Sequence, residues 1–443
     1  IHINEVVFGT AFGILMGPYV AGIFDPRSWG SAENIITLEF MRVALGVGLF
    51  CIGVDLPSKY MKNYAKSLLI MVVPTMAFGW VVVATIIYGL FPSLSFVSAL
   101  CIASCFTPTD PVTCAAITRG TFARRYDDIP DLLSAESASN DGLAYPFLSI
   151  SIYLIVESSA AVAIGKWFLV GWLYQVILGT VLGAILGFIF SKLMKLSYGK
   201  KLNDSESYLA QFLALSILAI GIASTIGADD LLAAFAAGTF FLLDQNFKDR
   251  TKDAKFSSVI DYVLNCACFI YIGAWLPFSA YESPAFGISP VRLLVLFLAI
   301  LVLRRIPFLL LVYSFIKEIN TWQDALFAGH FGKRMRRHDM GVSALFVSAL
   351  ARTHLPTPQN PPANQAELLA ETIQIFVSFV VLGSIVVHGL SVPVLSLWQG
   401  VNSRKPKSIH PQSSRESGND CPDVELAILD AVSNPQVRSR SQP

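Results

Sequence analysis

The chain has 443 residues, of which 54% are hydrophobic and 14% charged, with a formal net charge of +1 and a mean hydropathy of +0.59. Soluble domains carry about a quarter of their residues as charges, and a soluble chain this apolar would expose large adhesive patches. The composition therefore excludes a soluble enzyme, a nucleic-acid binder and a disordered scaffold, and leaves membrane lipid as the implied partner. At about 20 apolar residues per crossing, the length accommodates about a dozen spans.

In chain order the apolar runs fall near 3–24, 36–56, 67–91, 96–118, 133–156, 167–191, 208–226, 229–245, 257–278, 291–316, 324–350 and 367–399. Each is read as a helix, because hydrocarbon accepts only helices and closed barrels and these runs lack the alternation of a barrel strand. The expected fold is an all-α polytopic membrane protein. Lysines and arginines gather on one set of loops: Lys59, Lys62 and Lys66; Arg119, Arg124 and Arg125; Lys192, Lys195, Lys200 and Lys201; Lys248, Arg250, Lys252, Lys255 and Lys317; Arg404, Lys405 and Lys407. The other side has little beyond Arg27, Lys166 and Arg352. The first side is accordingly cytoplasmic. Residues 1–399 read as a transmembrane domain, and the Ser-, Pro- and Arg-rich stretch 400–443 as a disordered cytoplasmic tail. Cys51, Cys101, Cys105, Cys114, Cys266 and Cys268 lie in apolar runs, and no cysteine pair has zinc spacing. They read as small hydrophobes, and no cofactor is expected.

Ionisable residues inside the spans carry the functional signal, since each costs about 2.5–3.5 kcal/mol at mid-membrane. The fourth span contains Thr107-Pro108-Thr109-Asp110-Pro111. Two prolines there break a helix, and broken helices at the midplane are how many transporters build cation sites. The flanks are too short to span separately. The fifth span contains Ser134-Ala135-Glu136-Ser137-Ala138-Ser139-Asn140-Asp141-Gly142. Asn140 and Asp141 can face a cavity while Glu136 faces a structural partner. Burial penalises a carboxylate's charged form, so a suitably tuned aspartate holds either a proton or a monovalent cation, as exchange by competition requires. Asp229 and Asp230 open the eighth span. One of them fits a helix cap, and adjacent carboxylates also repel, so that one can stay protonated. Arg304 and Arg305, followed by Pro307, sit near the middle of the apolar run of the tenth span. Buried arginine calls for a carboxylate, for which Glu136 is the best candidate; snorkelling to the interface is the alternative.

The chain resembles the fungal plasma-membrane alkali-cation/proton antiporters of the monovalent cation:proton antiporter superfamily. The blocks that carry the likeness are Phe24-Asp25-Pro26-Arg27-Ser28-Trp29-Gly30, Leu56-Pro57-Ser58-Lys59-Tyr60-Met61, Thr109-Asp110-Pro111-Val112, the run from Glu136 to Phe147, Asp229-Asp230-Leu231-Leu232 with Ala237-Gly238-Thr239, Leu303-Arg304-Arg305-Ile306-Pro307 and Gly329-His330-Phe331-Gly332. Their order and spacing along nearly the whole chain are specific. The resemblance implies an inverted-repeat fold with two crossing broken helices, and a secondary antiporter, not an enzyme, that exchanges Na+, Li+ or K+ for H+ in alkali-cation efflux, salt tolerance and pH homeostasis. It places the cation and proton at Asp141, shaped by Asn140, Thr109 and Asp110. It implies a core ion pair of Glu136 with Arg305, with Arg304 the lesser candidate, and marks Asp229, Asp230, Asp204 and His330 as relevant to transport. A histidine titrates near physiological pH, though His330 equally fits a packing role. A homodimer in the plasma membrane is implied as well.

The sequence departs from the family pattern at two places. Family members begin with one more apolar helix, which would bring the full protein to about thirteen spans built as paired repeats. After Gly332, Lys333-Arg334-Met335-Arg336-Arg337-His338-Asp339 stands where the family has a proline. Four basic side chains there would cost on the order of 10 kcal/mol at mid-membrane. A retained intron or misjoined exon accounts for the segment, which would make this chain a non-functional or mis-spliced member; a genuine regulatory insertion is the alternative. Two other classes fit less well. An intramembrane aspartyl protease needs two facing aspartates in other local settings, and no H-E-x-x-H pattern occurs. A cation channel of the potassium type would carry a Thr-Val-Gly-Tyr-Gly filter, which the sequence lacks.

Overall fold

Runs of helix-forming apolar residues, punctuated by Gly, Pro and Ser, become helices almost wherever the chain is described. The structure is a computed structural model that describes residues 5–56, 64–108, 129–200, 205–241, 256–319, 321–322, 325–326 and 342–402. Its helices are α1 (Glu5–Met16), α2 (Glu33–Asp55), α3 (Ala65–Leu90), α4 (Phe96–Ser104), α5 (Ile129–Val156), α6 (Ala160–Lys166), α7 (Gly179–Gly199), α8 (Ser205–Ile226), α9 (Asp230–Phe241), α10 (Phe256–Trp275), α11 (Pro290–Leu303), α12 (Ile306–Val312), α13 (Val342–His354) and α14 (Gln365–Asn402). A π-helical stretch, Trp167–Leu178, joins α6 to α7. Among the described residues there is no named strand, only a bridge between Ser283 and Ile288. The chain divides into a unit Ile1–Leu397 and a unit Trp398–Pro443. Of the latter, residues 398–402 are described and are helical.

Over the described residues most apolar runs and helices coincide; the fourth run is helical only as far as Ser104, and there are three further differences. α1 stops at Met16, short of residue 24, where Gly17 and Pro18 interrupt the run. The sixth run starts earlier than expected, because Ser159 caps α6 through the Val162 N–H at 3.4 Å and helix continues from Ala160 to Ser197. The tenth run is two helices, parted at Arg304-Arg305.

Among the described residues, five helical stretches are long and apolar enough to cross a membrane, and four further apolar helices are shorter. Their burial sorts them into two layers. Two thirds (67%) of the most apolar window is buried in α2 and in α14, against 22% in α6–α7 and in α11–α12. The outer helices expose Phe168, Leu169, Leu173, Ile185, Phe188, Val291, Leu294 and Leu311, a surface suited to hydrocarbon and not to water. α9 is the centre of the inner layer, buried from Asp230 through Gly238. It is held by backbone proximity. Gly179, Gly183 and Gly187 recur every fourth residue on α7, and a Cβ at Gly183 or Gly187 would strike the Ala233 or Ala237 carbonyl of α9. On the opposite flank, a Cβ at Gly53 of α2 would strike α9, and one at Gly238 of α9 would strike the Phe50 carbonyl of α2. Small residues at such spacing let helices touch where lipid offers no hydrophobic drive.

Candidate functional site

Glu136 and Asn140 are four apart on α5, hence on one face, with Asp141 the next residue. All three are buried, at 1%, 0% and 5% exposure. Asn140 Nδ2 donates to Glu136 Oε1 at 3.4 Å, and Arg305 Nη2 donates to Glu136 Oε2 at 2.7 Å. Each oxygen of Glu136 therefore has its own partner. Charge-assisted bonds of this kind are stronger than neutral ones, and losing one member of such a pair leaves a buried charge uncompensated. Gly142 sits where a Cβ would collide with the Leu232 side chain, which lets the start of α9 pack against α5 beside Asp141.

Two helix interruptions meet this face. α4 begins at the Ser95 cap, whose Oγ accepts the Ser98 N–H at 3.1 Å. It ends at Ser104 after 9 residues, about 14 Å of helix, less than half of a hydrocarbon core of about 30 Å. The Thr107 hydroxyl turns back to the Ser104 carbonyl at 2.7 Å. The second interruption is Arg304-Arg305. Pro307 lies in the first turn of α12, where its missing N–H costs nothing but where it cannot continue the ladder of α11. Arg305 is thereby turned to Glu136, and Arg304 Nη2 donates to the Pro108 carbonyl at 2.7 Å. A small cavity lies among these groups, lined by Thr107, Glu136, Asn140, Arg304 and Arg305 and walled by Met71, Thr75, Met76, Gly79, Trp80 and Phe106.

The two aspartates at the start of α9 have separate partners. Asp229 Oδ1 accepts the Leu232 N–H at 2.8 Å, the geometry of an N-cap. Asp230 Oδ2 meets Arg42 Nε at 2.6 Å. Arg42, on α2, also pairs with Glu39 and places its guanidinium 5.9 Å from the Phe346 ring centroid on α13. Sequence reasoning passed over Arg42, although an arginine inside an apolar run is itself a request for a carboxylate. It passed over Tyr174 and Gln175 of the π-helical stretch too, which donate to the carbonyls of Ile226 and Gly227 at 2.7 and 2.5 Å and so finish the end of α8.

The structure thus brings Glu136, Asn140, Arg304 and Arg305 to one cavity, with Asp141 buried alongside on α5. Thr109, Asp110, Asp204, His330 and the basic segment 333–339 lie outside the described residues, as does the tail beyond 402. Of the two spans expected to cross, the described parts α4 and α13 touch. An alkali cation prefers oxygen donors, and beside the arginine-paired Glu136 α5 offers the Asp141 carboxylate and the Asn140 amide oxygen here.

The family model described as sodium/hydrogen exchanger, transmembrane, matches residues 1–398. The chain is 41% identical over 414 residues to a Schizosaccharomyces pombe protein named "Probable Na(+)/H(+) antiporter", which covers 91% of this chain and 54% of that one. It is 36% identical over 416 residues to the Na(+)/H(+) antiporter of Saccharomyces cerevisiae, covering 91% of this chain and 42% of that one. The chain spans about half the length of these relatives. Among solved structures, the sodium proton antiporter MjNhaP1 of Methanocaldococcus jannaschii superposes with a TM-score of 0.61 at 17% identity, over 90% of this chain and 92% of that one. The fold is therefore of that antiporter type.

Proposed function

The chain belongs to the sodium/hydrogen exchanger family, and from that premise we propose that the protein is a secondary antiporter exchanging Na+, Li+ or K+ for H+. The observation that carries this reading is the buried Asn140–Asp141 pair beside Glu136–Arg305, next to a helix of only 9 residues. The Glu136–Arg305 pair cancels its own charge and fixes α5. Asp141 then holds one positive charge at a time. A proton bound from one side is released to the other, and the vacated carboxylate takes the cation for the return, so protons moving down their gradient expel alkali cations. Movement of α5 and its packed neighbours against the outer helices supplies alternating access. Asp110 and Thr109 complete the ion site, and Asp204 and His330 contribute to transport. The protein resides in the plasma membrane as a homodimer, with the tail in the cytoplasm on the side of the basic loops. The likeness to fungal plasma-membrane antiporters supports location and dimer.

The test is reconstitution of the chain in liposomes loaded with a pH-sensitive dye, with an imposed proton gradient and added Na+ or K+. Cation-dependent dequenching is expected, abolished in Asp141→Ala and only weakened in Asp141→Glu. Full activity in Asp141→Ala overturns the assignment. A second version, with residues 333–339 replaced by one proline, separates a failed chain from a failed function: dequenching in that version alone makes the basic segment the defect.

A further inference from the structure

The adjacent arginines at the break between α11 and α12 serve different partners. Arg305 faces the carboxylate of Glu136, and Arg304 faces a backbone carbonyl. We propose that Arg304 is a positioning residue that fixes the turn following α4, through the Pro108 carbonyl, at the cavity shared with Asn140. The inference rests on the antiport reading for its transport consequence, and on geometry alone for its structural one.

The last carbonyls of α4 are already taken: those of Ile102, Ala103 and Ser104 accept the N–H groups of Cys105, Phe106 and Thr107 at 3.2, 3.0 and 3.1 Å. Pro108 lies beyond that turn and is buried, and a buried carbonyl calls for a donor. The Thr107 hydroxyl serves the Ser104 carbonyl from within the turn, and Arg304 serves the Pro108 carbonyl from a segment 196 residues away. A guanidinium suits this position, being permanently charged and carrying several donors in a fixed fork. α3 seats its stem. Gly79 lies where a Cβ would come 3.0 Å from the Arg304 carbonyl oxygen and 3.2 Å from its Cγ. Next to Gly79, Phe78 stacks on Phe308 of α12, with ring centroids 5.0 Å apart. The break is thus clamped to α3 on one side and to the turn following α4 on the other. The charge is also accounted for. A second guanidinium in a cavity meant for a cation would repel it, but here the positive group is turned to the Pro108 carbonyl oxygen.

The experiment compares the full chain with R304Q, R304K and R305Q in detergent, by hydrogen–deuterium exchange over peptides covering residues 96–108, and in liposomes by the cation concentration for half-maximal exchange. R304Q loses a charged donor, so amides of 96–108 are expected to exchange about tenfold faster, while R305Q leaves that segment within about twofold. R304K, which keeps the charge but not the fork, is expected to fall between them. The half-maximal cation concentration is expected to rise about tenfold in R304Q, with the maximal rate changing less. Unchanged exchange over 96–108 in R304Q overturns the proposal, as does an R304K that behaves as badly as R304Q. Should R304Q not fold, R304K decides alone: acceleration confined to 96–108 supports the proposal, and exchange there equal to that of the unsubstituted chain overturns it. Absence of transport in the unsubstituted chain defeats the antiport reading only, and leaves the exchange measurement to judge Arg304.

Discussion

Among the described residues, two carboxylate–guanidinium pairs join helices, and their surroundings differ. Glu136–Arg305 links α5 to a break between two helices and lines a small cavity. Asp230–Arg42 links the start of α9 to α2, beside Phe346, where glycines bring α7 and α2 onto the α9 backbone. Both are nearly buried: side-chain exposure is 11% and 1% for Arg305 and Glu136, and 12% and 10% for Arg42 and Asp230. The same bond therefore sits in two mechanical settings. Interrupted helices leave room and polar backbone ends, the materials of an ion site. Helices packed through glycine leave neither, and an ion pair there locks a register.

The contrast is tested most severely by breaking each pair from one side. Replacing one member of a buried pair costs about 3–5 kcal/mol, because the survivor stays charged and buried. Glu136→Gln and Arg42→Met are both expected to lose stability of that order, read as a lower unfolding temperature in detergent. They should part company in transport. Per folded molecule in liposomes, Arg42→Met is expected to keep an exchange rate within about twofold of the unsubstituted chain, while Glu136→Gln falls more than about tenfold, as the loss of a charge-assisted contact at the site would give. Equal loss in both would erase the distinction between the two settings.

Glycine packing gives the next largest effect. Leucine at Gly183 or Gly187 must displace backbone, with no flexible side chain there to yield, and overpacking of this kind costs about 1–3 kcal/mol or more. The expected result is a smaller monodisperse fraction on size exclusion and a lower unfolding temperature. Gly165 of α6 is the control, since a Cβ there meets nothing within 4 Å. Gly165→Ala should gain about 0.5–1 kcal/mol from reduced chain entropy. If Gly183→Leu proves as harmless as Gly165→Ala, α9 is not gripped as described.

Much of this was legible in the sequence, and the rest was hidden for physical reasons. Long apolar runs announce helices, and a carboxylate at Glu136 with arginines at 304 and 305 announces a pair, because uncompensated charge in hydrocarbon is expensive. Residue chemistry alone left open which arginine binds Glu136, and only the family resemblance pointed to Arg305, since adjacent residues on a regular helix differ by about 100° in direction and the choice was made by a break. Pro307 was the available signal: at the first turn of a helix it is ordinary, and within a run it ends one. Arg42 was overlooked because a single arginine hardly lowers the hydropathy of its run. The spacing Gly179, Gly183, Gly187 lay in plain view, yet it reveals only that something packs closely; that the partner is α9 is a matter of tertiary structure. Nothing in the local sequence distinguishes Asp229 from Asp230, which the fold separates into a cap and an ion-pair partner.

That separation carries the smallest and sharpest prediction. A side-chain acceptor at an N-cap is worth about 1 kcal/mol, and asparagine caps as well as aspartate does. Asp229→Ala is therefore expected to cost about 1 kcal/mol of stability and Asp229→Asn only a few tenths, read from denaturant unfolding in detergent. The pair also distinguishes structure from transport at a residue the family likeness marks for transport. Asn keeps the bond to the Leu232 N–H but has no charge to give up or take on. If Asp229→Asn retains stability but loses exchange in liposomes, the cap geometry holds the carboxylate in place and its charge acts in transport. If it retains both, Asp229 acts through the cap. A loss of stability in Asp229→Asn equal to that in Asp229→Ala would refute the cap itself, and with it the division of labour between the two aspartates.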